Sequence, residues 1–214
     1  MKLTKVVLLL VIFFGSCEIL NNSNSITFSV IGDNGTITAK VGSTTINSGD
    51  TVGENEQVTF TATPDQNFIV KEWTVNGDSK EHTSPTLYIT PTKDINVTVA
   101  FQAFIVGKWN IDKITSTIYV DGVLLQIPGF TNPTVQTNLG WIEFKEGGSG
   151  VDDVGDTFTW TLSGDNLTVT DDDGSFTMKL TTKEDEKIVG EWTETEIEDG
   201  VEWSVKMEIE MSKM

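Results

Sequence analysis

Residues able to do covalent or acid–base chemistry are few in type in this chain of 214 residues. Cysteine and histidine occur once each, as Cys17 and His82, and arginine is absent. In its usual design a serine or cysteine triad needs a histidine base beside its nucleophile. His82 instead stands alone in the polar stretch Gly77 to Ser84. Zinc sites need clusters of Cys and His, which this composition cannot supply. Carboxylates are abundant, and two runs crowd them together: Asp152-Asp153 with Asp156, and Asp171-Asp172-Asp173 before Gly174. Calcium takes such hard oxygens, but the EF-hand loop spaces its acids at alternate positions and ends on a glutamate at the twelfth. Neither run has that spacing, and an Asp triplet ahead of glycine is more economically a hairpin turn. A carboxylate pair could serve glycoside hydrolysis, yet Glu202, Glu208 and Glu210 alternate with apolar residues and so belong to a solvated strand face. The expectation is a protein that is not an enzyme, with no cofactor and no catalytic or metal-binding residues.

The single cysteine has a different context. Lys2 and Lys5 flank the start of the chain, the apolar run Val6 to Phe14 follows, and Gly15-Ser16 stand before Cys17. An apolar core of roughly 7–15 residues behind a positive start marks a secretory signal, whereas a membrane span needs about 20. Phe14-Gly15-Ser16-Cys17 resembles the lipobox of bacterial lipoproteins, with Phe14 where that motif usually carries leucine. The resemblance implies removal of residues 1–16, acylation of Cys17 and attachment to the membrane through that lipid. The alternative is a leftover cysteine in an ordinary secretory signal or membrane anchor. Residues 17–25 are short and polar and read as the tether. The expected location is the outer membrane, on its periplasmic or cell-surface face. With no second cysteine there is no disulfide, so the mature fold must rest on core packing.

Charge narrows the partners. The formal net charge is −18, and two of the few positive charges, Lys2 and Lys5, leave with the signal. Nucleic acid binding depends on Lys and Arg neutralising phosphates, so no nucleic acid partner is expected, and anionic headgroups are disfavoured for the same reason. The acidity reads as a solvated surface that keeps an extracytoplasmic protein soluble.

No helix is convincing anywhere; the elements are strands. From Ile26 to about Gln102, runs of period two alternate with turn residues: Ile26 to Val30, the turn Asp33-Asn34-Gly35, Thr36 to Ala39, the turn Asn47 to Asp50, then Gln57 to Ala62. This pattern predicts antiparallel β structure. Gly35-Thr-Ile, Ser48-Gly49-Asp50-Thr51-Val52, Val58 to Pro64, Asn67-Phe68 to Trp73 and Val97 to Phe101 together resemble the divergent InlB-type B-repeat of bacterial surface proteins. The segment departs from that family at Gln66-Asn67, where glycine usually precedes the aromatic. The resemblance implies a small β spacer or interaction module over residues 26–103, without catalytic residues and with Phe68 and Trp73 in its core.

After the apolar connector Ala103 to Val106, the region 104–214 carries a second strand pattern. Val201 to Met211 alternates without a fault, and Phe158 to Leu162, Leu167 to Val169 and Phe176 to Leu180 do the same. Adding Lys108 to Ile114, Ser116 to Val120, Leu139 to Phe144 and Ile188 to Thr195 predicts about eight strands joined by short hairpins, which suits an antiparallel up-and-down barrel. Gly107-Lys108-Trp109, Phe144-x-x-Gly147-x-x-Gly150 and Phe158-Thr-Trp160-x-Leu162 resemble the lipocalin-like domains of bacterial lipoproteins. The region is shorter than a true lipocalin and has no evident C-terminal helix. The resemblance implies either a small hydrophobic ligand or no known ligand, and does not by itself imply a cavity. Five of the six tryptophans fall here, and an eight-stranded barrel either fills itself with side chains or holds one small ligand. The candidate ligand-binding residues are Trp109, Leu124, Leu125, Ile127, Phe130, Trp160 and Trp203. The apolar loop Leu124 to Phe130 is expected to fold over one barrel end, as a permanent plug or as a mobile lid. The alternative to a ligand carrier is an envelope interaction module with a solid barrel, meeting a protein partner through exposed faces.

Overall fold

The computed structural model describes residues 23–80, 82–184 and 186–214. The signal segment 1–16, Cys17 and the first part of the tether lie outside the described residues. The expectation of an all-β chain holds, with a small repeat unit followed by a closed antiparallel barrel.

The first unit contains β1 (Ser23–Ile31), β2 (Gly35–Val41), β3 (Thr44–Ile46), β4 (Thr51–Gly53), β5 (Val58–Pro64), β6 (Phe68–Val75), β7 (Asp78–Lys80), β8 (Thr86–Ile89) and β9 (Ile95–Ala103). They form a five-stranded sheet in the order β4-β1-β9-β6-β7 and a four-stranded sheet in the order β3-β2-β5-β8. Alternation explains why these two layers meet. Val58, Phe60 and Ala62 of β5 and Ile95, Val97, Val99 and Phe101 of β9 are buried, and they enclose one core with Ile26 and Trp73. The Trp73 indole N–H donates to the Ser84 carbonyl at 2.9 Å, so its polar group is satisfied. Ser23 to Ser25, expected in the tether, instead pair with β4 as the start of β1.

The second unit contains β10 (Gly107–Val120), β11 (Val123–Leu124), β12 (Thr134–Thr137), β13 (Trp141–Lys145), β14 (Ser149–Asp152), β15 (Thr157–Ser163), β16 (Asn166–Thr170), β17 (Ser175–Glu184), β18 (Lys187–Glu198) and β19 (Val201–Lys213). The sheet runs β10-β13-β14-β15-β16-β17-β18-β19 and closes through β10 on β19, giving eight staves. The expected number of strands is met because two differences cancel. Residues 107–120 make one long strand rather than two, and Ser149–Asp152 is a strand that short Gly-rich sequence conceals.

The barrel is lopsided. β10, β18 and β19 run 12 to 14 residues, while β13 to β16 run 4 to 7. β17 and β18 part beyond the pair Lys179 and Glu191, after which Trp192 to Glu198 pair with β19 alone. The long wall therefore overhangs the end remote from the repeat unit. Along β19, Met211 and Ile209 are buried, whereas Trp203 on the same face is 40% exposed.

Inside, the packing is dense. Phe144 stands edge-on to both Phe158 and Trp160, and Trp109, Leu167, Met178, Leu180 and Ile188 belong to the same cluster. Two wall positions are glycine because large neighbours occupy their side-chain space. A Cβ on Gly150 would lie 2.0 Å from the Phe158 ring, and one on Gly190 would lie 2.6 Å from the Met178 sulfur.

Candidate functional site

The connector between the units decides which barrel end is closed. Phe104 N–H donates to the Asn67 carbonyl, the Trp109 indole N–H donates to the Ile105 carbonyl at 2.7 Å, and the Lys213 ammonium donates to the Val106 carbonyl at 3.1 Å. Ile105 is fully buried in the barrel core. This connector seals the near end, the role expected of the loop at Leu124 to Phe130. That loop does not plug the barrel, because none of its side chains packs on the core cluster. Its residues continue along the free edge of β10, with β11 pairing Tyr119 and Val120 and β12 pairing Lys113 to Ser116. Asn132 holds it there, exchanging hydrogen bonds with the Ile118 N–H and carbonyl and donating to the Leu125 carbonyl.

The seven candidate ligand residues accordingly fall into three places. Trp109 is fully buried beneath the connector, with the Lys213 ammonium 4.8 Å from its ring centroid. Trp160 lies near the sealed end, its indole N–H shared between the Ser149 and Lys145 carbonyls. Leu124, Leu125, Ile127, Phe130 and Trp203 belong to the far end. Leu125, Ile127 and Phe130 border a recess of about 470 Å³ together with Asn132. Leu124 and Trp203 are not brought together. Trp203 pairs with Val120 and Leu124 with the next residue, Tyr119, so the pleat sends them to opposite faces.

A larger cleft, of about 690 Å³, opens between the two units. Its repeat-unit wall comes from the ends of β1, β6 and β9, and its barrel wall from the β13–β14 and β15–β16 hairpins. Phe68, Phe101, Trp160 and Leu162 line it. Two contacts bridge the units beside it. Lys71 is the extra residue of a β-bulge between β6 and β9 and pairs with Glu146 at 2.7 Å, consistent with bulges re-aiming side chains. Asn67, at φ 69°, donates its side-chain amide to the Gly164 carbonyl and accepts from the Lys183 ammonium at 3.0 Å. Lys183 also holds Asp165 at 2.6 Å, and that hydrogen bond lowers the Asp165 pKa below the usual carboxylate range.

The replacement of glycine by Asn67 thus has a physical account. Asparagine tolerates the left-handed backbone that the turn requires, and it adds an amide that clasps the barrel. Sequence reasoning identified the position as a departure from a motif but could not see its partners.

The acidic runs act within their own turns. One Asp152 carboxylate oxygen accepts from the N–H groups of Val154, Gly155 and Asp156 at 2.9 to 3.0 Å, and Asp171 accepts from Asp173 and Gly174. Among the described residues, no group of three His, Cys, Asp or Glu side chains converges on a common point. His82 accepts from the Ser84 N–H in its loop. Glu210 bridges Lys113 and Lys187 on the outer barrel surface, and Glu191 pairs with Lys206 at 2.5 Å. The expected solvated strand face therefore carries ion pairs.

No curated protein matches this chain. Residues 30–104, from within β1 to Phe104 of the connector, match the divergent InlB B-repeat domain, so the first unit is similar to that family over nearly its whole length.

Proposed function

We propose that this protein is a non-catalytic lipoprotein of the cell envelope, held to the outer membrane through acylated Cys17, whose barrel unit takes a small apolar or amphipathic ligand at its far end. The observation that supports the reading is an apolar surface left uncovered at that end. Ile127 is 51% exposed and Phe130 45% exposed beside the recess they share with Leu125. Apolar groups clustered in a concavity are the usual makings of a small-ligand site. The arginine-free, acidic composition makes nucleic acid an unsuitable partner.

Native mass spectrometry of the protein purified without detergent, followed by titration with palmitate and with an anilinonaphthalene dye, tests this. Co-purifying mass or saturable fluorescence change, lost in Ile127→Ser/Phe130→Ser, is the expected result. A clean unliganded mass with no saturable change would overturn it.

The second reading is an envelope interaction module with a solid barrel. The observation favouring it is the dense interior, where glycine at 150 and 190 makes room for Phe158 and Met178. On this reading Ile127 and Phe130 meet a protein partner, and their substitution changes association while leaving palmitate without effect.

A further inference from the structure

We propose that the cleft between the repeat unit and the barrel is a second, separate binding site, and that its ligand is a neutral, hydroxyl-rich molecule of the oligosaccharide class. Its volume of about 690 Å³ lies within the roughly 300–1,000 Å³ of small-molecule sites, and a domain interface is a favoured place for one.

The lining chemistry selects the ligand. The charged residues lining the cleft are Lys71 and Glu146, and they neutralise each other across it. On a chain of net charge −18 this is a locally neutral surface, so it offers no free charge to an ionic ligand. Asn34, Gln66, Gln102 and Ser163 line the cleft, and their side chains make no hydrogen bond to other described residues. An amide carries donors on one side and an acceptor on the other, and a hydroxyl both donates and accepts. A ligand without hydrogen-bonding groups would strip water from three amides and a serine and return nothing, which is costly. Vicinal hydroxyls satisfy both halves of each amide, while the carbon face of a sugar ring suits the apolar floor around Phe68 and Leu162.

An extended peptide is the competing occupant, since a peptide strand adds to an unpaired sheet edge. β9 is paired on both sides by β1 and β6, and β15 on both sides by β14 and β16, so neither takes a further strand. β6 is open on one side at Phe68 to Glu72, because β7 pairs Trp73 to Val75 alone. A strand added there would bond the repeat-unit wall only and leave Ser163 on the barrel wall unmatched, whereas a hydroxyl-rich ligand meets the polar side chains of both walls. The clasp at Asn67 and the Lys71–Glu146 pair hold the two walls in register, so the site is formed before the ligand arrives.

Saturation-transfer NMR on the full chain tests the proposal, using maltotetraose, cellotetraose and mannotetraose at millimolar concentration, with the neutral peptide acetyl-Ser-Gly-Ser-Gly-Ser-amide in parallel. Saturable transfer from at least one tetrasaccharide is expected. The affinity should fall about tenfold in Gln66→Ala/Gln102→Ala, the loss of two ligand hydrogen bonds. These side chains make no hydrogen bond to other described residues, so the variant should melt as the parent does, and Ile127→Ser/Phe130→Ser should bind the sugar unchanged. Absence of transfer from all three sugars, transfer from the peptide alone, or sugar affinity indifferent to the glutamine substitutions would each overturn the assignment.

Discussion

Replacing Asn67 by glycine removes the clasp between the units while leaving the backbone free to keep its shape. The position sits at φ 69°, a conformation that glycine adopts without strain, so the substitution isolates the side-chain bonds. Two are lost: the amide to the Gly164 carbonyl and the bond accepted from Lys183. Each net hydrogen bond contributes about 0.5–1.5 kcal/mol, and the exposed ammonium bond is discounted for solvent screening. A total of about 1–2 kcal/mol follows, or roughly a 5–30-fold change in the docking equilibrium. The Phe104 amide reads this directly, because its N–H is protected by the Asn67 carbonyl at the junction. Hydrogen exchange at Phe104 should accelerate by that factor. The Leu167 amide in the barrel core should be unaffected, since its exchange needs the barrel itself to open. A double-mutant cycle with Lys183→Ala should return a coupling energy, because both residues act in one network. Unchanged exchange at Phe104, or equal acceleration at Phe104 and Leu167, would refute the claim that Asn67 clasps the units.

Three further outcomes are expected. Gly150→Ala should destabilise the barrel by about 1–3 kcal/mol in thermal melts, since its Cβ would meet the rigid Phe158 ring, while Gly190→Ala should cost less because Met178 is flexible. Hydrogen bonds from Lys113 and then Lys187 hold the Glu210 pKa below its ordinary range. A carboxylate depressed in the folded state contributes stability above its unfolded pKa of about 4.3 and loses it as pH falls through the folded value. Urea midpoints should therefore fall on acidification below about pH 4.3, less steeply in Glu210→Gln. Asp152→Ala should cost about 1–2 kcal/mol by removing the side-chain acceptor shared by three turn N–H groups, of which the Gly155 N–H alone keeps a bond, to the backbone carbonyl of residue 152, and millimolar calcium should leave the parent's melting temperature unchanged.

The local pattern was legible because strands announce themselves through alternation. The faultless run Val201 to Met211 lies within β19, and the turns at Asn34, Gly164 and Gly174 fall between strands. The repeat-like order of the first unit could be read in the same way, since its buried positions recur every second residue. The charge balance and the shortage of His, Cys and Arg are properties of composition, and they bound the chemistry without any structure.

Tertiary structure decided what period two cannot encode. Alternation assigns Trp203 and Met211 to one face of β19, but only the early ending of the short wall leaves Trp203 exposed while Met211 is buried. Periodicity says nothing about which strand closes the barrel, so the pairing of β10 with β19 and the displaced course of the Leu124 to Phe130 loop appear only in three dimensions. Ile105, in a short connector without periodicity, seals the near end because the chain enters the barrel beneath Trp109. The cleft is the most distant from sequence. Gln102 and Ser163 carry no local signal, Gln66 stands out only as part of a departure from the repeat pattern, and the two walls meet only because the Asn67 clasp and the bulge at Lys71 hold one unit against the other.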